Sequence, residues 1–220
     1  MKWYLDFGHG GKDSGAVGSN KTKESDSVLK IGLLVKSKLE AASEIVIATR
    51  ETDKYYTLTE RTTKANTNKC DYFVSLHFNS STNTTAKGCE VWVYDENSKL
   101  YTLSKNLCTN LSKSLNTPNR GVKVSKQFSV LKNSKMPSLL IEIDFISNSQ
   151  VESSLSSDSY IQTVANTIST TLLSFVNKSV PTEDAVYKVC IGAFRDKANA
   201  ITLKQAALSK GFSDTYISID

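Results

Sequence analysis

The chain contains only two histidines, His9 and His77. Each follows a stretch that reads as a short buried strand, residues 2–7 and 71–76, and each has small or polar neighbours. Two imidazoles at the ends of strands suit a metal. A catalytic zinc takes about three nitrogen or oxygen ligands and keeps one position open, so two histidines leave room for one carboxylate. Acids near the predicted strand ends are Asp6, Asp13, Glu24, Asp71 and Glu142, and composition does not choose among them. Glu24 opens a predicted helix, where the helix dipole favours an acid in any case. Glu142 alternates with Ile141 and Ile143 in an apolar strand, where a carboxylate is costly unless it is paired, bound or at a solvent-facing edge.

The elements that must position these groups are legible as hydrophobic period. Residues 2–7 form a strand that breaks at Gly8-His9-Gly10-Gly11 and runs into a polar loop. A helix over about 25–42 carries Val28, Ile31, Val35 and Leu39 on one face. Residues 44–49 are a β-branched strand. Thr57-Leu-Thr-Glu60 has the form of a capping box and opens a helix to about 68. Residues 71–76 are a strand ending at His77-Phe78-Asn79, and 89–94 are another. Leu100, Leu103, Leu107, Leu111 and Leu115 mark a long amphipathic helix. Strands are predicted near 121–124 and 128–131. Residues 138–145 are an apolar strand carrying Glu142 and Asp144, and a last helix spans about 158–176. Alternation of strand and helix predicts an α/β domain over 1–177: an open, mostly parallel or mixed sheet with helices on both faces. In such sheets ligands bind at the carboxyl ends of the strands. That rule puts His9 and His77 on one rim.

Residues 178–186 read as a linker. Residues 187–220 then form a small β-α-β module: a strand at 187–194, a helix at 197–210 stopped by Gly211, and a strand at 215–219. About 34 residues bury little core by themselves, so this piece is expected to dock or to pair with a second copy.

Composition narrows the class. No apolar run approaches the roughly 18 residues that span a bilayer, which excludes membrane insertion by a helix. Met1 to Gly8 contains Asp6 within a run too short for a signal-peptide core, so the chain is expected to be made in the cytoplasm without a leader. The formal net charge is +5. That charge suits an anionic polymer, yet no Lys/Arg cluster is interleaved with aromatics as in a nucleic-acid module, so nucleic acid is not an expected partner. Cys70, Cys89, Cys108 and Cys190 form no C-x-x-C pair, which argues against a thiolate zinc site and for reduced structural thiols.

Four segments, in order, resemble the zinc-dependent N-acetylmuramoyl-L-alanine amidases: Asp6-Phe-Gly-His-Gly-Gly-Lys-Asp-Ser-Gly-Ala16, Lys23-Glu-Ser-Asp26, Ser75-Leu-His-Phe-Asn79 and Leu140-Ile-Glu-Ile-Asp-Phe-Ile-Ser-Asn148. The pieces Thr49–Asp53, Leu58–Arg61 and Arg120–Lys123 agree as well, and the resemblance covers about residues 2–176. It implies one zinc per chain held by His9, Glu24 and His77, with Glu142 as the catalytic base and Asn79, Arg61 and Arg120 as substrate contacts. It also implies peptidoglycan as the partner and action at the bacterial wall after release, in the manner of an endolysin or autolysin. Two positions depart from the family pattern. Phe7 replaces a common Pro, and Asp144 replaces a common Gly, where its charge is expected to bear on Glu142. The segments Tyr187–Phe194 and Gly211–Asp214 resemble half of a sporulation-related (SPOR) peptidoglycan-binding repeat, which implies wall binding or a homodimer through residues 187–220.

Overall fold

The computed structural model describes residues 1–179, 191–213 and 215–218, and divides into two units, Met1–Pro181 and Thr182–Asp220. In the first unit the elements follow as β1 (Lys2–Phe7), α1 (Glu24–Ala41), β2 (Ile45–Ala48), α2 (Leu58–Thr67), β3 (Tyr72–Asn79), β4 (Cys89–Val93), α3 (Tyr101–Leu115), β5 (Asn119–Val124), α4 (Ser129–Asn133), β6 (Ser138–Phe145), α5 (Ser149–Ser154) and α6 (Asp158–Phe175). The six strands make one sheet in the order β2-β1-β3-β6-β4-β5. All neighbours are parallel except β4 and β6. This is the mixed α/β sheet that the alternating pattern predicts.

Period-two alternation divides the sheet between two cores. Trp3, Leu5 and Phe7 face one way with Val74, Leu76, Leu139 and Ile141, and pack against α1, α3 and α6. Tyr4, Phe73 and Leu140 face the other way into a smaller cluster with Val130 and Leu131. The apolar stripe of α1 is buried as its spacing requires, with Val28, Ile31, Val35 and Leu39 fully enclosed. The capping box is present: Glu60 N donates to Thr57 Oγ1 at 3.2 Å, and Thr57 N donates to Glu60 Oε2 at 2.7 Å.

One expectation changes. Residues 128–131 were expected to form a strand, but Ser129–Asn133 is a helical turn. Val130 and Leu131 are both buried in the same cluster. A strand would send these adjacent side chains to opposite faces, whereas a helical turn lets both reach the core. Residues 149–154 form α5, which a polar segment of that length does not announce. In the second unit only a helix, α7 (Lys197–Ser209), is present among the described residues. Much of the β-α-β expectation for 187–220 falls on residues 187–190, 214 and 219–220, which lie outside the described residues. Ala207 is the one buried residue of α7.

Among the described residues no helix is long and apolar enough to cross a membrane. Cys70, Cys89 and Cys108 are free and buried, while Cys190 lies outside the described residues.

Candidate metal centre and catalytic cleft

The parallel order β1-β3-β6 brings three chain segments to one rim. His9 stands two residues beyond β1, in a loop with φ of 59° at His9 itself. A non-glycine residue in this left-handed region is strained and must be held by its surroundings. Two buried guanidiniums do the holding. Arg61 Nη1 donates to Asp6 Oδ1 and to Phe7 O, both at 2.8 Å, and Nη2 donates to His9 O at 2.8 Å. Arg50 Nε donates to Phe7 O at 3.1 Å, and its Nη2 donates to Gly8 O at 2.9 Å and Ser25 O at 2.7 Å. Asp6 is itself satisfied by Thr49 Oγ1 at 2.6 Å and Ser75 Oγ at 2.7 Å. Backbone carbonyls that a tight turn would orphan are thereby paired. Arg61 lines the cleft, but its donors are engaged by Asp6, Phe7, His9 and Tyr56. The buried ion pair with Asp6 commits this guanidinium to holding the turn after β1.

His77 belongs to β3, which runs on to Asn79 instead of ending at residue 76. Glu24 is the first residue of α1 and is buried. Its Oε1 lies 2.9 Å from His77 Nδ1 and 3.3 Å from His9 Nε2. The same carboxylate accepts from Phe78 N at 3.0 Å and Ala16 N at 2.9 Å. Burial alone would raise the Glu24 carboxyl, but the two imidazoles outweigh it and hold the group far below the usual carboxylate range. Burial would likewise lower His9, and Glu24 and Asp13 reverse that and raise it. His9 Nδ1 faces Asp13 Oδ2 at 2.9 Å. A carboxylate behind an imidazole fixes its tautomer and aims the other nitrogen, the usual support for a metal-bound histidine. Gly15 is required here: its φ is +65°, and a Cβ would lie 2.6 Å from both Glu24 Oε2 and His9 Cδ2.

One donor atom from each of His9, Glu24 and His77 lies within 4.8 Å of the others, the one such group among the described residues. Ligands about 2 Å from a tetrahedral zinc stand about 3.3 Å apart. Two imidazoles with one carboxylate is a donor set that catalytic zinc uses, so these residues fit the ion.

Glu142 is paired with His77 across β3 and β6 and with Glu90 across β6 and β4. It is therefore on a central strand and not at a sheet edge. Its Oε2 is buried without a hydrogen-bond partner. Burial, then the charges of Glu24 and Glu90, push this carboxyl well above its ordinary range. Glu90 is a residue that the sequence reading missed, although an acid in the apolar strand Cys89–Val93 is the same signal that marked Glu142. Glu90 holds both remaining substrate candidates. Asn79 Nδ2 donates to Glu90 Oε1 at 2.9 Å, and Arg120 Nε donates to Oε2 at 2.9 Å. The exposed Arg120 also lies over the Phe145 ring, 4.9 Å from its centre. A cleft of about 580 Å³ opens on His9, Glu24, His77 and Glu142. Tyr55, Tyr56 and Phe128 give it apolar lining.

Asp144 does not charge this cleft. Between His77 and Asn79 on β3 there is one residue, whereas between their partners Glu142 and Phe145 on β6 there are two. The extra residue is a β-bulge, which re-aims the side chain that follows it. Asp144 accepts from Gly88 N at 2.7 Å and from Thr117 Oγ1 at 2.6 Å, on the loop after α3.

An α/β sheet with a His/Glu/His cluster and a buried carboxylate at the carboxyl ends of its strands is an arrangement suited to a hydrolase. The chain belongs to the N-acetylmuramoyl-L-alanine amidase family, whose profile matches residues 4–174. It is 34% identical over 223 residues to the sporulation-specific N-acetylmuramoyl-L-alanine amidase of Bacillus subtilis strain 168, covering all of this chain and 86% of that one. It is 38% identical to the endolysin of Bacillus phage SPP1 over 74% of this chain and 61% of that one. Among solved structures it is similar to the catalytic domain of CwlV, an N-acetylmuramoyl-L-alanine amidase from Bacillus (Paenibacillus) polymyxa var. colistinus. That match has a TM-score of 0.75 and 30% identity over 80% of this chain and 98% of that one.

Proposed function

We propose that the chain is a zinc-dependent peptidoglycan amidase. It would hydrolyse the amide between the lactyl group of N-acetylmuramic acid and the L-alanine of the stem peptide, and so lyse or remodel the wall as an endolysin or autolysin does. The observation that carries this reading is the convergence of His9, Glu24 and His77 donor atoms within 4.8 Å, in a chain of the amidase family. These three residues would hold one zinc. When bound, zinc supplies Lewis-acid polarisation of a carbonyl and a lowered pKa for water.

The remaining work falls to the chain. Asp13 keeps the His9 ring turned so that Nε2 faces Glu24. Glu142 takes the proton of the attacking water at its carboxylate and delivers it to the departing alanine nitrogen. Its unpartnered Oε2 is an acceptor that nothing in the fold already uses. Asn79 and Arg120, both held by Glu90, offer donors to the carbonyl and carboxylate groups of the stem peptide. Tyr55, Tyr56 and Phe128 offer flat apolar surface to the sugar or to alanine. The resemblance of residues 187–220 to half a SPOR repeat supports a contribution to wall binding, alone or by pairing of two copies. Sedimentation of the intact chain and of a chain ending at 181 with purified wall tests that contribution.

The test of the main reading is digestion of purified peptidoglycan with zinc-loaded protein and mass analysis of the products. Glycan strands without peptides, with stem peptides bearing free N-terminal alanine, are the expected products. Intact lactyl–alanine links with new ends elsewhere would overturn the assigned bond.

A further inference from the structure

The turn after β6 touches both loops that carry metal-ligand candidates. Asn148 caps α5 through its side-chain oxygen, which accepts from Gln150 N and Val151 N. Its Nδ2 donates to Thr84 O at 2.9 Å, and Ser147 Oγ accepts from Ser81 N at 3.0 Å. These two contacts fasten the loop that leaves His77 and Asn79. One turn further on, Glu152 reaches the loop that enters Glu24. Its side chain is buried, with the residue only 2% exposed, and it makes no ion pair among the described residues. It accepts from Ser19 Oγ at 2.8 Å, from Asn20 N at 2.8 Å, from Asn20 Nδ2 at 3.3 Å and from Thr22 N at 3.2 Å. Every partner is a donor from one short stretch, residues 19–22. A buried carboxylate in such a place is costly unless those donors are worth more to the fold ordered than free.

What they order is the approach to Glu24. Val17 and Lys23 pair as a small antiparallel bridge, Gly18 N donates to Thr22 O at 2.9 Å, and Glu24 N donates to Ala16 O at 2.9 Å. The tip of this hairpin has few apolar contacts of its own: Ser19, Asn20 and Lys21 are exposed. Glu152 holds this hairpin at its tip, and Glu24 is the first residue of α1. We propose that Glu152 is a positioning residue for the metal centre. It clasps residues 19–22 so that the Glu24 carboxylate is preset between the two imidazoles. This rests on the metal reading given above.

The test measures zinc affinity by chelator competition, together with the visible spectrum of the cobalt-substituted protein. Glu152→Gln keeps the shape and loses the charge-assisted acceptors, and is expected to weaken zinc about tenfold, with Glu152→Ala weaker still. Gly18→Ala attacks the same contact from the loop, because a Cβ there would lie 2.2 Å from Glu152 Cδ. It is expected to weaken zinc to a similar degree. Combining it with Glu152→Ala should add little further loss, since the obstructed side chain is gone. A changed cobalt spectrum in folded variants supports positioning. Wild-type zinc affinity and an unaltered spectrum in folded Glu152→Gln and Gly18→Ala would overturn the proposal while leaving the metal centre standing. Failure of the wild-type protein itself to bind zinc would overturn both, and is told apart by that control.

Discussion

Glu142 and Asp144 lie two residues apart on one strand, yet their carboxylates serve different parts of the molecule. Glu142 faces the cleft with an unpartnered oxygen, and Asp144 turns through the bulge to bind Gly88 N and Thr117 Oγ1. The two should therefore separate activity from stability. Glu142→Gln is expected to lower turnover on purified wall by about 10²–10⁴-fold, the range of general acid–base catalysis. It should retain zinc and keep or improve thermal stability, because the repulsion of this carboxyl by Glu24 and Glu90 is removed. Asp144→Ala is expected to do the reverse, costing about 1–3 kcal/mol by stranding Gly88 N and Thr117 Oγ1. Wall digestion, metal analysis and denaturant titration of both variants give the comparison. A Glu142→Gln enzyme with near-normal rate would remove that residue from the base role.

Metal removal should act on fold as well as on chemistry. A ligand that binds only the folded state stabilises it by mass action, by about 2.7 kcal/mol at a hundred times its dissociation constant. Chelator-treated protein is expected to melt lower and to digest nothing, and added zinc should restore both. His77→Ala removes one of the three donors and should bind far less zinc. Full zinc occupancy of that variant, measured by elemental analysis, would break the proposed ligand set.

Much of this centre could be read from residue types and spacing. The two histidines and the acids near strand ends were visible as candidates, and four ordered motifs singled out Glu24 and Glu142 among them. The sheet followed because its central strands β1, β3 and β6 are largely buried on both faces and the helices between strands are periodic. What escaped the reading depends on tertiary register. A one-residue bulge reverses where Asp144 points, and no local pattern encodes it. The short apolar run at 128–131 fits either period, and burial of two adjacent side chains decided for helix. The pairing of Arg61 with Asp6 joins residues 55 apart in the chain. The acceptor role of Glu152 depends on a loop more than a hundred residues earlier. Both are relations that only the folded chain brings together.

The Asp6–Arg61 pair gives a stability prediction. Both side chains are almost fully buried, at 1% and 4% exposure. Removing one partner of a buried pair leaves an uncompensated charge and costs about 3–5 kcal/mol. Arg61→Ala is expected near that range, and Arg61→Lys should also be damaging, because an ammonium cannot span Asp6, Phe7 O and His9 O in one plane. Zinc affinity should fall with it, since the strained His9 backbone loses its anchor. Denaturant midpoints with zinc titration check both parts. Arg61→Lys behaving as wild type in stability and zinc binding would show that the fork geometry is immaterial.

The acid limb of stability should carry a signature of Glu44. Its side chain is enclosed, and it pairs with Lys178 Nζ at 2.7 Å and accepts from Trp3 Nε1 at 2.7 Å, with the Met1 amine 2.9 Å away. Burial alone would raise this carboxyl, but Lys178, the amine and the indole outweigh it and hold it below its ordinary range. The folded state therefore binds this proton more weakly than the unfolded state does. A depressed carboxyl contributes stability that is fully present above the unfolded value, about 4.3 for glutamate, and is lost as pH falls through the folded value. The expected outcome is a contribution intact at about pH 6 and fading below about pH 4. Glu44→Gln should lower the melting temperature at pH 6 and shrink the gap to wild type as the pH is taken down. A gap that stays constant from pH 6 to pH 3 would mean that the loss is one of packing and hydrogen bonding, and that the charge of Glu44 contributes nothing to the fold.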